Sequence, residues 1–281
     1  MRANHAKRRL AAGEPSIGTW LSLPSPEAAE YIAEIGFDWL TVDAEHNGID
    51  VTTMSRMFGA IAGNGTAPLV RIPWNSGENI KRALDAGAWG IVVPMVNSRA
   101  EAEAAVEAAL FPPKGNRSIG GNMRTVRWKG TGAEYHAHAD EEILIVLQIE
   151  HIKGVEAADE ILSVPGVDAC FIGPNDLAAS MGVGIGVPLE FDHPDMIVAI
   201  NEIREACVRN GVAPGIHTSG AAGLKQRIAE GFRFLAMASE LKYMLGGLQS
   251  DLQASGWQSS PHRNIGDDEA TIPTRTDSVR Y

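Results

Sequence analysis

The sequence predicts a closed α/β barrel, the (β/α)8 TIM barrel, and three observations predict it. Short runs rich in Val, Ile and Leu recur eight times along the 281 residues. These runs do not alternate apolar with polar positions, which is how strands read when both faces are covered, as in a parallel sheet. Segments with apolar residues at helical spacing separate most of the runs, and repeated strand–helix alternation over this length closes a barrel. A doubly wound open sheet is the competing arrangement. Against it, no glycine-rich dinucleotide fingerprint follows any run; the glycines of 182–186 follow a short helical segment and read as a loop.

In order, the strands are expected at 18–23, 39–42, 69–72, 90–95, 143–149, 169–172, 213–216 and 234–238. The first helix begins at Pro26-Glu27, with Ser25 as N-cap and proline in the first turn, where its missing N–H costs nothing. Further helices are expected at 51–62, 78–86, 99–110, 154–163, 196–210 and 221–230. The connection 111–142 is long, contains Pro112-Pro113 and Gly120-Gly121, and reads as a functional or interfacial loop. Within it, Arg124, Arg127 and Trp128 are candidates to close over a ligand or to dock on another subunit. The domain division is a single barrel at 1–253 and a polar C-terminal arm at 254–281, which lacks core periodicity.

Composition narrows the function. The formal net charge of −11 argues against nucleic acid and anionic membranes as partners. No run of about 18 apolar residues is present, and no apolar stretch of signal-peptide length follows the basic N-terminus. Two cysteines, Cys170 and Cys207, form no disulfide framework and fit a reducing, cytoplasmic location.

A parallel barrel places its active-site groups at the C-terminal ends of strands. The polar residues there are Asp43, Glu45 and His46, then Arg71, Gln148 and Glu150, then Gly173-Pro174-Asn175-Asp176, His217 and Glu240. Glu150 and Asp176 lie about one βα repeat apart, so they would converge from neighbouring strand ends. Two carboxylates suit a hard divalent ion that keeps open positions for substrate. The plainer reading makes Glu150 a salt-bridge partner and Asp176 the N-cap of the helix that follows. His46, oriented by a carboxylate such as Asp43, is a candidate general base. Arg71, at the end of an apolar strand, is suited to a substrate carboxylate or a developing oxyanion; otherwise it is a rim salt bridge to Glu45. His136-Ala137-His138 looks like a metal pair but lies away from the strand ends.

These residues resemble the HpcH/HpaI aldolase family. The resemblance rests on Gly18-Thr19-Trp20-Leu21-Ser22, Asp43-Ala44-Glu45-His46, Val70-Arg71, Val93-Pro94-Met95, Phe111-Pro112-Pro113-Lys114-Gly115, Gln148-Ile149-Glu150 and Phe171-Ile172-Gly173-Pro174-Asn175-Asp176-Leu177, and it covers residues 8–250. It implies a (β/α)8 barrel assembled as a homo-oligomer, a hexamer. It implies a class II pyruvate aldolase that cleaves a 4-hydroxy-2-oxo acid to pyruvate, or hydroxypyruvate, and an aldehyde. Glu150 and Asp176 would hold Mg²⁺, Mn²⁺ or Co²⁺. Gln148, Gly173 and Asn175 would contact substrate with Arg71, and Arg71 would stabilise the enolate. His46 would move the proton, and Asp85 would raise its basicity. Asp85 enters from the resemblance alone. The sequence departs from many relatives in its polar tail and in Asn175, where some have Ala. Two other readings stand beside this one: a citryl- or malyl-CoA lyase-like enzyme, and an inactive barrel used as a binding module.

Overall fold

A computed structural model describes residues 1–257. Eight parallel strands form a closed barrel in sequence order. They are β1 (Ser16–Leu21), β2 (Trp39–Asp43), β3 (Ala67–Arg71), β4 (Gly90–Val93), β5 (Leu144–Ile149), β6 (Ala169–Ile172), β7 (Gly215–Thr218) and β8 (Phe234–Ser239). Every residue of β2, β4, β5 and β6 is buried, which is why these runs show no alternation in the sequence.

The outer layer consists of α2 (Pro26–Ala33), α3 (Val51–Gly63), α4 (Gly77–Ala86), α5 (Arg99–Ala109), α8 (Ile152–Glu156), α9 (Ala158–Leu162), α10 (Pro174–Ser180), α11 (Pro194–Asn210) and α12 (Ala221–Ala229). Ser25 caps α2 as expected, accepting from the Ala28 N–H, with Pro26 in the first turn. The helix expected at 154–163 is broken into α8 and α9 at Ala157.

Two regions depart from the sequence reading. The basic N-terminus forms α1 (His5–Ala11), in which Lys7 reaches Asp168 at 3.0 Å and the Ile143 carbonyl at 2.7 Å. The connection 111–142 is not an irregular loop: it holds α6 (Met123–Arg127) and α7 (Gly132–Glu142). Thr131 and Glu134 form a reciprocal capping box that starts α7. Trp128, between these helices, stacks on Trp89 with centroids 4.6 Å apart.

The compact barrel unit spans Met1–Lys242, and a second unit begins at Tyr243. The last described helix, α13 (Glu240–Ala254), has exposed apolar side chains at Tyr243, Met244, Leu245, Leu248 and Leu252. The arm expected from 254 lies almost wholly outside the described residues. No described helix is long and apolar enough to cross a membrane.

Several strand pairs approach closely at a glycine, and the one between β1 and β2 is at Gly18. Trp39 in β2 is fully buried and stacks on Phe234 in β8, centroids 4.4 Å apart. Gly18 lies opposite Trp39 in the β1–β2 register, and a Cβ there would overlap both the indole and the Trp39 carbonyl oxygen. The strand backbone cannot yield as a flexible side chain does, so Gly18→Ala should destabilise the fold by about 3 kcal/mol, the upper end of overpacking costs. Urea denaturation checks this; an unchanged midpoint would show that the barrel tolerates the extra atom.

Candidate active site

The C-terminal ends of the strands surround a cleft of about 240 Å³. Asp43, His46, Arg71, Gln148, Glu150, Gly173, Asn175 and Asp176 all line it, together with Trp20, Ser22, Phe171, Leu189, His217 and Ser239. Of the catalytic, substrate-binding and metal residues that the family resemblance implies, Asp85 is missing from this wall; of the other polar strand-end residues, Glu45 and Glu240 do not line it.

Arg71 and Asp43 are register partners at the ends of β3 and β2. The guanidinium donates through two nitrogens to both Asp43 oxygens, each at 2.8 Å, and a third nitrogen lies 3.1 Å from Glu45. Its Cζ sits 4.7 Å over the Trp20 ring. Burial alone would lower the pKa of Arg71, but the hydrogen bonds to Asp43 and the charges of Asp43, Glu45 and Glu150 outweigh it and hold the pKa above its ordinary value. The cation is therefore permanent and fixed in direction.

This pairing corrects the expected role of Asp43. Its two oxygens are taken by Arg71 and by the Asn47 amide, at 2.7 Å, so it orients Arg71 rather than His46. The acid beside His46 is Glu45, 3.5 Å from Nε2. Burial raises the pKa of Glu45; Arg71 opposes this, and Asp43 and Asp176 reinforce it. The His46 side chain is 60% exposed and stands at the mouth of the cleft.

Glu150 follows β5 and is 2% exposed. The Met95 N–H donates to one of its oxygens at 2.9 Å, and the Gln148 amide donates to the other. Met95 has φ of 54°, a left-handed conformation that a non-glycine residue adopts only where its surroundings enforce it. Burial pushes the Glu150 carboxyl up to about 7; its hydrogen bonds oppose this, and the nearby Asp176 and Glu45 add to it. Asp176 lies in the first turn of α10, whose N-cap is Gly173, so it is not the cap that the plainer sequence reading made it. Gly173 also makes room, since a Cβ there would stand 2.6 Å from Glu150 Oε2.

These residues fit a divalent metal. Two carboxylates converge without a bonded Lys or Arg among the described residues, one is held out of water near neutral pKa, and the neighbouring Gln148 Oε1 is buried without a partner. No group of three or more His, Cys, Asp or Glu is placed to hold a metal among the described residues. The remaining positions would therefore fall to water and substrate oxygens, as Mg²⁺-type sites allow.

Asp85 is elsewhere. It projects from α4 to Arg117 at 2.9 Å and Arg124 at 3.1 Å, so within one chain the structure does not bring it to His46. His136 and His138 lie away from the cleft, as their distance from the strand ends suggested: His136 contacts Arg124 at 3.2 Å, and exposed His138 faces Glu141 at 3.7 Å. His217 was visible in the sequence only as one polar group at a strand end. Its Nε2–H donates to the Ala238 carbonyl at 3.1 Å, and its ring lies 6.0 Å from that of Trp20. Burial lowers its pKa to about 4; Arg71 and Lys242 push the same way, while the bond to Ala238 and the charge of Glu190 oppose.

Residues 16–246 match the model of the HpcH/HpaI aldolase/citrate lyase family. The chain belongs to this family. It is 37% identical over 238 residues to 5-keto-4-deoxy-D-glucarate aldolase of Shigella dysenteriae, covering 85% of this chain and 91% of that one. A solved HpcH/HpaI aldolase/citrate lyase family protein from Burkholderia cenocepacia superposes with a TM-score of 0.84 at 34% identity, covering 90% of this chain and all of that one. Macrophomate synthase superposes with a TM-score of 0.78 at 24% identity, over 90% of this chain and 89% of that one, a likeness of fold. Family membership makes the cleft at the strand ends the place to look for aldol chemistry.

Neutral His217 has a consequence for stability. The unfolded chain takes up this proton near pH 6.5 and the folded chain only near 4, so the contribution of the ring is complete above about pH 6.5 and is lost as pH falls toward 4. His217→Gln should lose less stability than the wild type across that interval. Thermal denaturation at a series of pH values checks this, and parallel Tm curves for the two proteins would contradict it.

Proposed function

We propose that the protein is a divalent-metal-dependent aldolase. It cleaves a 4-hydroxy-2-oxo acid, reversibly, to pyruvate or hydroxypyruvate and an aldehyde. The observation that carries this reading is the Glu150–Asp176 carboxylate pair facing the same small cleft as the fixed cation of Arg71. The name of the 37% identical relative supports a sugar-acid-derived substrate of this general class.

Glu150 and Asp176 would hold Mg²⁺, Mn²⁺ or Co²⁺, which when bound supplies Lewis-acid polarisation of the oxo group. Arg71 contributes a positive charge that does not move or titrate, aimed where the carbonyl oxygen becomes an enolate. Gln148 fixes the Glu150 carboxylate and has a free carbonyl oxygen for a substrate hydroxyl or a bound water. Gly173 and Asn175, at the start of α10, bound the substrate beside Asp176. At the mouth, His46 takes the proton of the 4-hydroxyl as the carbon–carbon bond breaks, and neighbouring Glu45 stabilises the imidazolium that forms. No lysine lines the cleft among the described residues, which disfavours a Schiff base. A cytoplasmic hexamer belongs to the same reading. It is supported by the family resemblance, and the exposed apolar side chains of α13 favour a homo-oligomer.

Treatment with EDTA should abolish cleavage, and Mg²⁺, Mn²⁺ or Co²⁺ should restore it. Full activity in chelator, or a substrate adduct trapped by borohydride, would refute the proposal.

The two rim groups can be separated. Arg71→Ala should slow both cleavage and pyruvate α-proton exchange, by roughly 10²–10³-fold. His46→Ala should slow cleavage by roughly 10²–10⁴-fold but spare exchange. Deuterium incorporation into pyruvate, followed by NMR without aldehyde, distinguishes them. Equal loss of exchange in both variants would mean that His46 handles the pyruvate proton as well.

A further inference from the structure

His217 faces the cleft, yet the chemistry above gives it no task. It lies inside β7, below the rim, between two aromatic rings: Trp20 at 6.0 Å and Phe171 at 6.2 Å. The same Trp20 indole carries the Arg71 guanidinium at 4.7 Å, so His217 and Arg71 both contact one side chain and line one cleft.

The hydrogen bonding of the ring is half used. Nε2–H is committed to the Ala238 carbonyl, which leaves Nδ1 as an acceptor, and no hydrogen bond to Nδ1 is formed among the described residues. The ring is neutral at physiological pH because burial disfavours its charge, so this acceptor is not lost to protonation. An acceptor without a donor, flanked by the Trp20 and Phe171 rings, favours a ligand that brings an O–H to it and disfavours one that presents a methyl group.

Depth decides which half of the substrate supplies that hydroxyl. His46, largely exposed, marks the mouth where the aldehyde enters and leaves. His217 packs against the buried rings of Trp20 and Phe171, on the side of the cleft where the aldolase reading sets the oxo acid, against Glu150 and Arg71. We propose that His217 is a specificity-determining residue whose Nδ1 accepts a hydrogen bond from a hydroxyl on C3 of the oxo acid, making hydroxypyruvate rather than pyruvate the preferred nucleophile. The hydroxyl is retained through the reaction, and only its recognition is assigned to His217. This rests on the aldolase reading above.

The test compares kcat/KM for hydroxypyruvate and pyruvate, with glycolaldehyde as the fixed acceptor and Mg²⁺ present, in wild type, His217→Leu and His217→Gln. The wild type should favour hydroxypyruvate. The ratio should fall about tenfold or more in His217→Leu, which has no acceptor, and recover in part in His217→Gln, whose amide oxygen is one. A readout independent of turnover is the ¹⁵N resonance of His217 Nδ1, assigned by its loss in His217→Gln: hydroxypyruvate should move it and pyruvate should not. If His217→Leu fails to fold, the glutamine variant and the resonance decide. An unchanged ratio in active variants, or a resonance that responds equally to both oxo acids, overturns this inference and leaves the aldolase reading intact. A wild type that turns over neither oxo acid removes both.

Discussion

The arrangement of this rim depends on keeping one carboxylate, Glu150, out of water. An isolated buried carboxylate is costly and answers by binding its proton more tightly, which is the direction its pKa takes here. Two hydrogen bonds, from the Met95 N–H and the Gln148 amide, offset part of that cost without neutralising the charge. Asp176 and Glu45 add negative field instead of relieving it. A divalent cation bound here would offset that negative field; the left-handed Met95 backbone presents its N–H to Glu150, and Gly173 leaves the space that the carboxylate occupies.

The barrel makes this possible by separating two tasks. The strands are buried on both faces and supply rigidity, while their ends supply chemistry. Asp43 and Arg71 show the division most directly, since strand register alone places them opposite one another and their two hydrogen bonds then fix the guanidinium. A cation held in this way needs little reorganisation when charge develops beside it, which is what electrostatic stabilisation of a transition state requires.

The strands were legible because double burial writes continuous apolar runs, and the grouping of the candidate site residues around one cleft was legible because a parallel barrel sends its strand ends to one face. Features that depend on contacts distant in sequence were not. The α1 helix has only Ala6 and Leu10 buried, too few for a periodic pattern, and is tied down by partners more than a hundred residues away. The helices within 111–142 were hidden by the prolines and glycines around them, although the Thr131–Glu134 spacing was a capping signal in plain view. Asp43 was assigned to the wrong partner because proximity in sequence favours His46, whereas strand pairing favours Arg71. Asp85 had no local signal at all, and in the folded chain it serves Arg117 and Arg124.

The central claim is that Glu150 and Asp176 together hold a divalent ion on which the oxo acid rests. Crystals grown with Mn²⁺ and pyruvate, measured at a wavelength where manganese scatters anomalously, test it most directly. The account predicts one strong anomalous peak in the cleft, within bonding distance of an oxygen from each of the two carboxylates and of pyruvate oxygens. A cleft without a peak, or a peak bonded to neither carboxylate, would contradict it.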